Sequence, residues 1–198
     1  MSAPPKTVLR ATPQEEAAIR AAVRRAEGRT VAGAEHVQGL FDLLADPDVS
    51  DPIYDLPRPI TLESIAQWVT DSEMLRQEGR CILAVSLDDQ GKVAGYSRFT
   101  VWPDRASAEL AGARRADLQN SGAGRQGLAK SVAWMFEILG VRLIGLTAGV
   151  DNIRSSKTID GAGFKRMGEV ESVRPDGAIR RSLYWELDRA EWVRTHRL

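Results

Sequence analysis

The 198-residue chain has one cysteine, Cys81, two histidines, His36 and His196, and no surplus charge, with 27 Lys+Arg against 27 Asp+Glu. A single thiol excludes a disulfide framework and a cysteine-rich zinc site. Cys81 sits inside the apolar run "CILAVSL" and reads as a buried side chain rather than a nucleophile. Neither histidine has a partner at a spacing that suggests a metal site or a nucleophilic triad, so no metal is expected. The charge balance leaves no field that would draw the chain to nucleic acid or to an anionic membrane, and neither is an expected partner. No apolar run approaches the ~20 residues of a membrane span, and "MSAPPKTVLR" lacks the apolar core of a secretory signal. A cytoplasmic location is therefore expected, with residues 1–6 loose. A chain of this length can bury a proper core without staples, and a single domain over 1–198 is the expectation.

What is present is regular patterning. "TPQE" from Thr12 joins an N-cap threonine, a proline at the first helical position and a glutamate three residues after the cap, predicting a helix from about Pro13 to Glu27. Two short segments compete for the first strand, "TVLRA" before that helix and "RTVAG" after it, and the former is favoured. Val37, Leu40, Phe41 and Leu44 fall on one helical face, so a second helix is expected over Ala34 to Ala45, stopped by "DPD". A proline-rich loop, "VSDPIYDLPRP", precedes a third helix capped by Thr61, with Ile60 and Ile65 able to form a hydrophobic staple. The period then changes to two. "CILAVSL" and "KVAGYSRFTVW" read as a hairpin, and Ala106 to Arg114 as a third antiparallel strand. A strong amphipathic helix through Leu128, Val132, Met135, Phe136 and Leu139 follows, then the buried strand "VRLIGLTAGV", a short helix and a terminal hairpin around "RPDG". The order predicts a mixed α/β domain, helices flanking one twisted, mostly antiparallel sheet.

"SGAGRQGLAK", Ser121 to Lys130, carries G-x-G-x-x-G at Gly122, Gly124 and Gly127. Any helix opening from a glycine-rich turn offers free N–H groups to an anion, so the spacing alone does not name the ligand. A dinucleotide loop follows a buried strand directly, with an acid about 20 residues on. Here "GARRADLQNS" is polar, and Asp151 lies nearer to 30 residues beyond Gly122, by rough count against that rule.

The succession "SGAGRQGLAKSVAWMFEILGVRLIGLTAGVDNIRSSKTIDGAGFKRMGE" resembles the acyl-CoA-binding half of the GNAT superfamily of N-acetyltransferases. Within it the chain is most similar to the branch of ribosomal-protein alanine N-acetyltransferases and their small-molecule relatives. "LFDLLADPDVS", "RPITLESIAQWV" and "DRAEW" extend the likeness to most of the chain from about Ala34. The resemblance implies a GNAT fold with a central parallel strand pair, acetyl-CoA as acyl donor and a primary amine as acceptor, attacked directly in a ternary complex. The family's phosphate pattern [QR]-x-x-G-x-[GA] falls on Gly124, Arg125, Gln126, Gly127, Leu128 and Ala129, with Gly124 in place of the arginine or glutamine. With Gly122 these are the candidate cofactor-binding residues, their backbone N–H groups aimed at the pyrophosphate. Arg114 or Arg115 is a candidate for the 3′-phosphate of CoA, or a solvated strand end.

An amine that attacks a thioester must be neutral, whereas an alkyl ammonium has a pKa of ~10.4, so a base is needed. Glu109, a carboxylate within the small apolar segment "SAELAGA", is the candidate, standing where the resemblance puts the family's frequent glutamate base. Its alternative is a surface position on the outer face. The family often supplies an acid from a tyrosine five residues before the phenylalanine of "GF", and here that position is Ile159. Asn152 matches the asparagine that contacts the pantetheine arm, and Ser155, or alternatively Ser156, is the candidate hydrogen-bond donor to the leaving thiolate; Asn152 and Ser155 also suit capping of the short helix. Tyr54, Asp55 and Trp102 are candidates for framing the amine, or core and rim aromatics in the case of the two rings. Alternatives for the whole are an acyl-CoA-binding protein without catalysis and an acyltransferase whose donor is a carrier-protein thioester. The acceptor class spans small amines and peptide N-termini, and the terminal hairpin is the candidate surface for a homodimer.

Overall fold

A computed structural model describes residues 4–118, 123–174 and 176–196. Helix α1 (Pro13–Arg25) opens on the expected capping box: Glu15 N–H donates to Thr12 Oγ1 at 3.2 Å and Thr12 N–H donates to Glu15 Oε2 at 2.8 Å. Strand β1 is Thr30–Val31, the second of the two competing segments, and pairs with β2 (Cys81–Leu87). The favoured "TVLRA" is not a strand: Thr7 instead hydrogen-bonds a buried carboxylate, described below. A 3₁₀ turn at Ala34–His36 leads into α2 (Val37–Leu44). "DPD" ends that helix but also starts another, because Asp46 caps and Pro47 pre-sets the first turn of α3 (Pro47–Ser50). Helix α4 (Leu62–Gln77) begins at Thr61, and Ile60 and Ile65 join one cluster, as a staple requires.

The sheet has seven strands in the order β1-β2-β3-β4-β5-β7-β6, adding β3 (Val93–Trp102), β4 (Ser107–Arg114), β5 (Leu143–Gly149), β6 (Lys165–Val173) and β7 (Ile179–Asp188). All neighbours are antiparallel except β4 and β5. Helix α5 (Ala123–Trp134), continued by a π-helical turn through Leu139, connects these two parallel strands. Helix α6 (Ile153–Gly161) follows β5, and α7 (Arg189–His196) ends the described chain.

Each face of the sheet carries its own core. On one, Ile19 and Val23 of α1, Val132 of α5 and Ile159 of α6 pack on Phe99, Ile144, Leu146 and Trp185. On the other, Leu40, Leu44, Ile65 and Trp68 from α2 and α4 pack on Leu83, Val85 and Tyr96. Alternation along each strand assigns the two sets. Cys81 is buried, and burial pushes its thiol pKa up, which leaves it inert at neutral pH.

The expectation that residues 1–6 are loose gives way at the segment's inner end. Pro5 is buried, Lys6 N–H donates to Tyr184 Oη at 3.2 Å, and Thr7 donates its N–H to Glu186 Oε1 at 2.9 Å and its hydroxyl to Oε2 at 2.5 Å. Glu186 is 6 % exposed and accepts a further bond from Tyr184 Oη at 2.6 Å. Burial raises its pKa, but the Thr7 and Tyr184 donors outweigh burial and hold it below the ordinary value. Because the folded value is the lower one, the carboxylate contributes stability above the unfolded value of ~4.3. That contribution is lost as the pH falls through the folded value. Glu186→Gln should therefore cost about 1–3 kcal/mol at neutral pH. It should also flatten the fall in stability below about pH 4.5, read from urea unfolding across pH. An unchanged acid limb would remove Glu186 as the anchor of this segment.

Candidate active site

Strands β4 and β5 are parallel neighbours for only three residue pairs, Ser107–Leu143, Ala108–Ile144 and Glu109–Gly145. Beyond Glu109, β4 pairs with β3 alone as far as Arg114, and beyond Gly145, β5 pairs with β7 alone as far as Gly149. Two strand edges in the middle of the sheet thus face each other without a ladder between them. Their inward N–H and C=O groups need another partner, and an extended ligand with amide groups is one.

Glu109 stands at the last paired position. Cross-strand register puts Thr100, Glu109, Gly145 and Glu186 in one row, and Thr147 and Tyr184 in the next row of the same face. Thr147 donates its hydroxyl to Glu109 Oε1 at 3.3 Å. Gly145 is required here: a Cβ at this residue would lie 2.9 Å from Tyr184 Oη and 3.3 Å from Pro5 Cγ. Burial, the bond to Glu186 and the charge of Glu109 all raise the Tyr184 pKa, so its phenol stays protonated at neutral pH. The row faces away from α5 and α6, whose buried residues belong to the other core.

The start of α5 lies beyond the open end of β4. Gly122 lies outside the described residues, whereas Gly124, Arg125, Gln126, Gly127, Leu128 and Ala129 all fall in the first two turns of the helix. The first turn has no acidic residue, and among the described residues a Cβ at Gly124 or Gly127 would meet nothing within 4 Å. Leu128 is half-buried against the core, while Gly124, Arg125, Gln126 and Ala129 are exposed. Arg125 Nη2 lies 3.5 Å from the carbonyl oxygen of Gly161 at the end of α6. Free N–H groups at a helix N-terminus, open glycines and an adjacent guanidinium suit a pyrophosphate. Arg115 is committed elsewhere, with Nη1 3.0 Å from Asp88 and Nε 2.8 Å from Asp117, while Arg114 ends β4 opposite Gly95.

Asn152 caps α6: its Oδ1 accepts from Ser155 N–H at 3.0 Å, which leaves the carboxamide NH₂ as the group able to reach a ligand. Ser155 is half-buried in the first turn of α6. Ile159 is buried in the core, so no side chain from that position reaches the site.

Tyr54 and Asp55 come together, and Trp102 does not join them. Asp55 is paired with Arg98 of β3, Oδ2 to Nη1 at 3.2 Å, with both side chains largely buried. Two guanidinium groups lie over the Tyr54 ring, Arg180 Cζ at 3.8 Å and Arg174 Cζ at 4.6 Å from its centroid. Trp102 ends β3 beside the 3₁₀ turn at Pro103–Arg105, ~13 Å along the strand from Arg98. Arg98, Thr147, Arg174, Arg180, Tyr184 and Glu186 were not singled out from sequence. The alternation of "IRRSLYWEL" was a signal that every second residue shares a face, but only register says which face.

The chain matches the model of the acetyltransferase (GNAT) domain family over residues 29–165. No curated protein matches at a significant level. Among solved structures it is similar to a ribosomal-protein-S5-alanine acetyltransferase from Vibrio fischeri, at 15 % identity and TM-score 0.69, covering 82 % of this chain and 92 % of that one. A spermidine N-acetyltransferase from Vibrio cholerae, in complex with CoA and spermine, aligns at 14 % identity and TM-score 0.70, covering 82 % and 95 %. AAC(6')-Ib, in complex with ribostamycin and coenzyme A, aligns at 20 % identity and TM-score 0.69, covering 84 % and 95 %. At these identities the likenesses establish the fold, and the family model covers well over half of the sequence. A sheet opened between β4 and β5, with a glycine-rich helix start beyond the opening, is thus the framework of an N-acetyltransferase, and the chain belongs to the GNAT acetyltransferase family.

Proposed function

We propose that the protein transfers an acetyl group from acetyl-CoA to a primary amine by direct attack. The observation that carries the reading is the position of Glu109, at the residue where the β4–β5 ladder ends. The donor's pyrophosphate lies on the N–H groups of the first α5 turn, with Arg125 beside it. Its pantetheine arm, with two amides, takes up the unpaired backbone groups of β4 beyond Glu109 and of β5 beyond Gly145, and the Asn152 NH₂ adds a donor. This brings the thioester to the end of the ladder from the α5–α6 side, while the amine comes from the face of Glu109.

Glu109 accepts a proton from the ammonium, directly or through one water, and Thr147 holds the carboxylate in place. The nitrogen lone pair then forms the C–N bond at the thioester carbon, and backbone N–H groups of the open β4 edge stabilise the oxyanion. Collapse breaks the C–S bond and releases CoA thiolate, which Ser155 hydrogen-bonds; the nitrogen gives its second proton to water, which protonates the thiolate, and Glu109 returns the first proton to solvent. A thiol of pKa ~8.5 leaves as the thiolate far more readily than an alkoxide, so the lack of a tyrosine at Ile159 is tolerable. Carrying the reading to the level of acetyl-CoA and an amine is supported by the CoA, spermine and ribostamycin in the two complexes cited above.

Glu109→Gln should lower kcat/KM by about 10²- to 10⁴-fold and flatten the rise of rate with pH, with the KM for acetyl-CoA little changed. An unaltered pH profile would exclude Glu109 as the base. Gly124→Glu provides an independent test of the donor site. The new side chain meets no described residue, and an acid in the first turn of a helix is favourable, so Tm should hold or rise. Acetyl-CoA affinity should nevertheless fall about tenfold or more through repulsion of the pyrophosphate. Unchanged affinity by calorimetry would show that the pyrophosphate binds elsewhere.

A further inference from the structure

Charge on the face that Glu109 shares is distributed unevenly. Glu109 and Glu186 occupy one row, at the closed end of the β4–β5 opening. Two rows further along, Gly149 of β5 pairs with Ser182 of β7, and Arg180 of β7 leans over it: a Cβ at Gly149 would lie 3.2 Å from both Cδ and Nη1 of Arg180. Arg180 donates from Nη1 to the carbonyl oxygen of Pro52 at 2.7 Å, and its guanidinium stacks on Tyr54. Among the described residues it has no carboxylate within ion-pair distance. Asp151 and Asp55 act on it only at longer range, and Arg174, over the same Tyr54 ring, adds a like charge. Of the nearby carboxylates, Asp55 is engaged with Arg98 at 3.2 Å and Asp176 with Arg174 at 3.8 Å, whereas Asp151, whose Oδ1 lies 2.7 Å from the same Gly149 Cβ position, stands beside Arg180 beyond ion-pair distance. The Nε atoms of Arg174 and Arg180 are buried without a hydrogen-bond partner among the described residues.

A guanidinium placed over an aromatic ring, fixed at one Nη and with no carboxylate within ion-pair distance among the described residues, presents its remaining donors to a planar anion. From Gly145 to Gly149 the strand rises ~13 Å, so an anion at Arg180 lies on the order of 10 Å from an amine at Glu109. We propose that the acceptor is an amine that also carries a carboxylate about 10 Å from its nitrogen, the carboxylate being recognised by Arg180 with Arg174 beside it. This rests on the acetyl-transfer reading for the amine end only. It separates the chain from acceptors that are polycations, for which an arginine pair is repulsive at this place.

The test compares a long-chain ω-amino carboxylate with the ω-amino alcohol of the same length as acceptors for acetyl-CoA. The wild-type protein should prefer the carboxylate by about tenfold or more in kcat/KM. Arg180→Gln should remove most of that preference, and Arg180→Lys should retain part of it. A purely structural role would lower both rates together and leave their ratio unchanged. Calorimetry with the unreactive ω-acetamido carboxylate reads recognition without chemistry. Binding to the wild type that is lost in Arg180→Gln upholds the anion site even if no amine is acetylated, in which case only the acetyl-transfer reading falls. Equal rates for the two acceptors in the wild type, or acetamido carboxylate binding unaffected by Arg180→Gln, would overturn the inference.

Discussion

The structure depends on two parallel strands that part. A sheet normally satisfies its backbone by continuing its ladders, and an open edge in its middle is costly unless something else fills it. Here β4 and β5 stay in place beyond Glu109 and Gly145 because each is held on its other side by an antiparallel partner, β3 and β7 respectively. The same geometry directs both chains toward helix N-termini: β4 runs on toward α5, and β5 turns into α6. Backbone donors for an extended arm and N–H groups for an anion are thereby placed at one end of the fold.

The opening also separates the two proposed substrates. Apolar residues of α1, α5 and α6 fill one face of the sheet, and α2, α4 and the Pro5–Thr7 segment cover parts of the other. Glu109, Thr147, Tyr184 and Glu186 share the second face through register, so a donor arriving from the α5–α6 side meets an acceptor from the opposite side. Glu186 and Tyr184 act on this arrangement from behind: they fasten Thr7 and Lys6 beside Gly145, leaving no room there for a larger residue.

Much of this was legible in the sequence, because the strongest signals are local. The Thr12 capping box, the Ile60–Ile65 staple and the period change at Cys81 each state their element from neighbouring residues alone. "TVLRA" misled because a short β-branched stretch has strand propensity whether or not an edge is available, and the edge of β2 was taken by Thr30–Val31. Of the two compatible readings of Asn152 and Ser155, the capping one is seen directly, Asn152 Oδ1 accepting from Ser155 N–H. What the sequence could not supply was register. It decides that Glu109 faces Gly145, that Arg180 reaches Gly149 and that Trp102 lies away from Tyr54, and each of these depends on contacts between residues distant in the chain.

The central claim is that the gap between β4 and β5 is the place of the acyl donor. Amide hydrogen exchange with and without saturating acetyl-CoA tests it most directly. Slower exchange in 110–114, 146–149 and the first turn of α5, with β2 and β6 unaffected, is the predicted result. Donor binding that left those three segments unchanged and protected others would contradict the account.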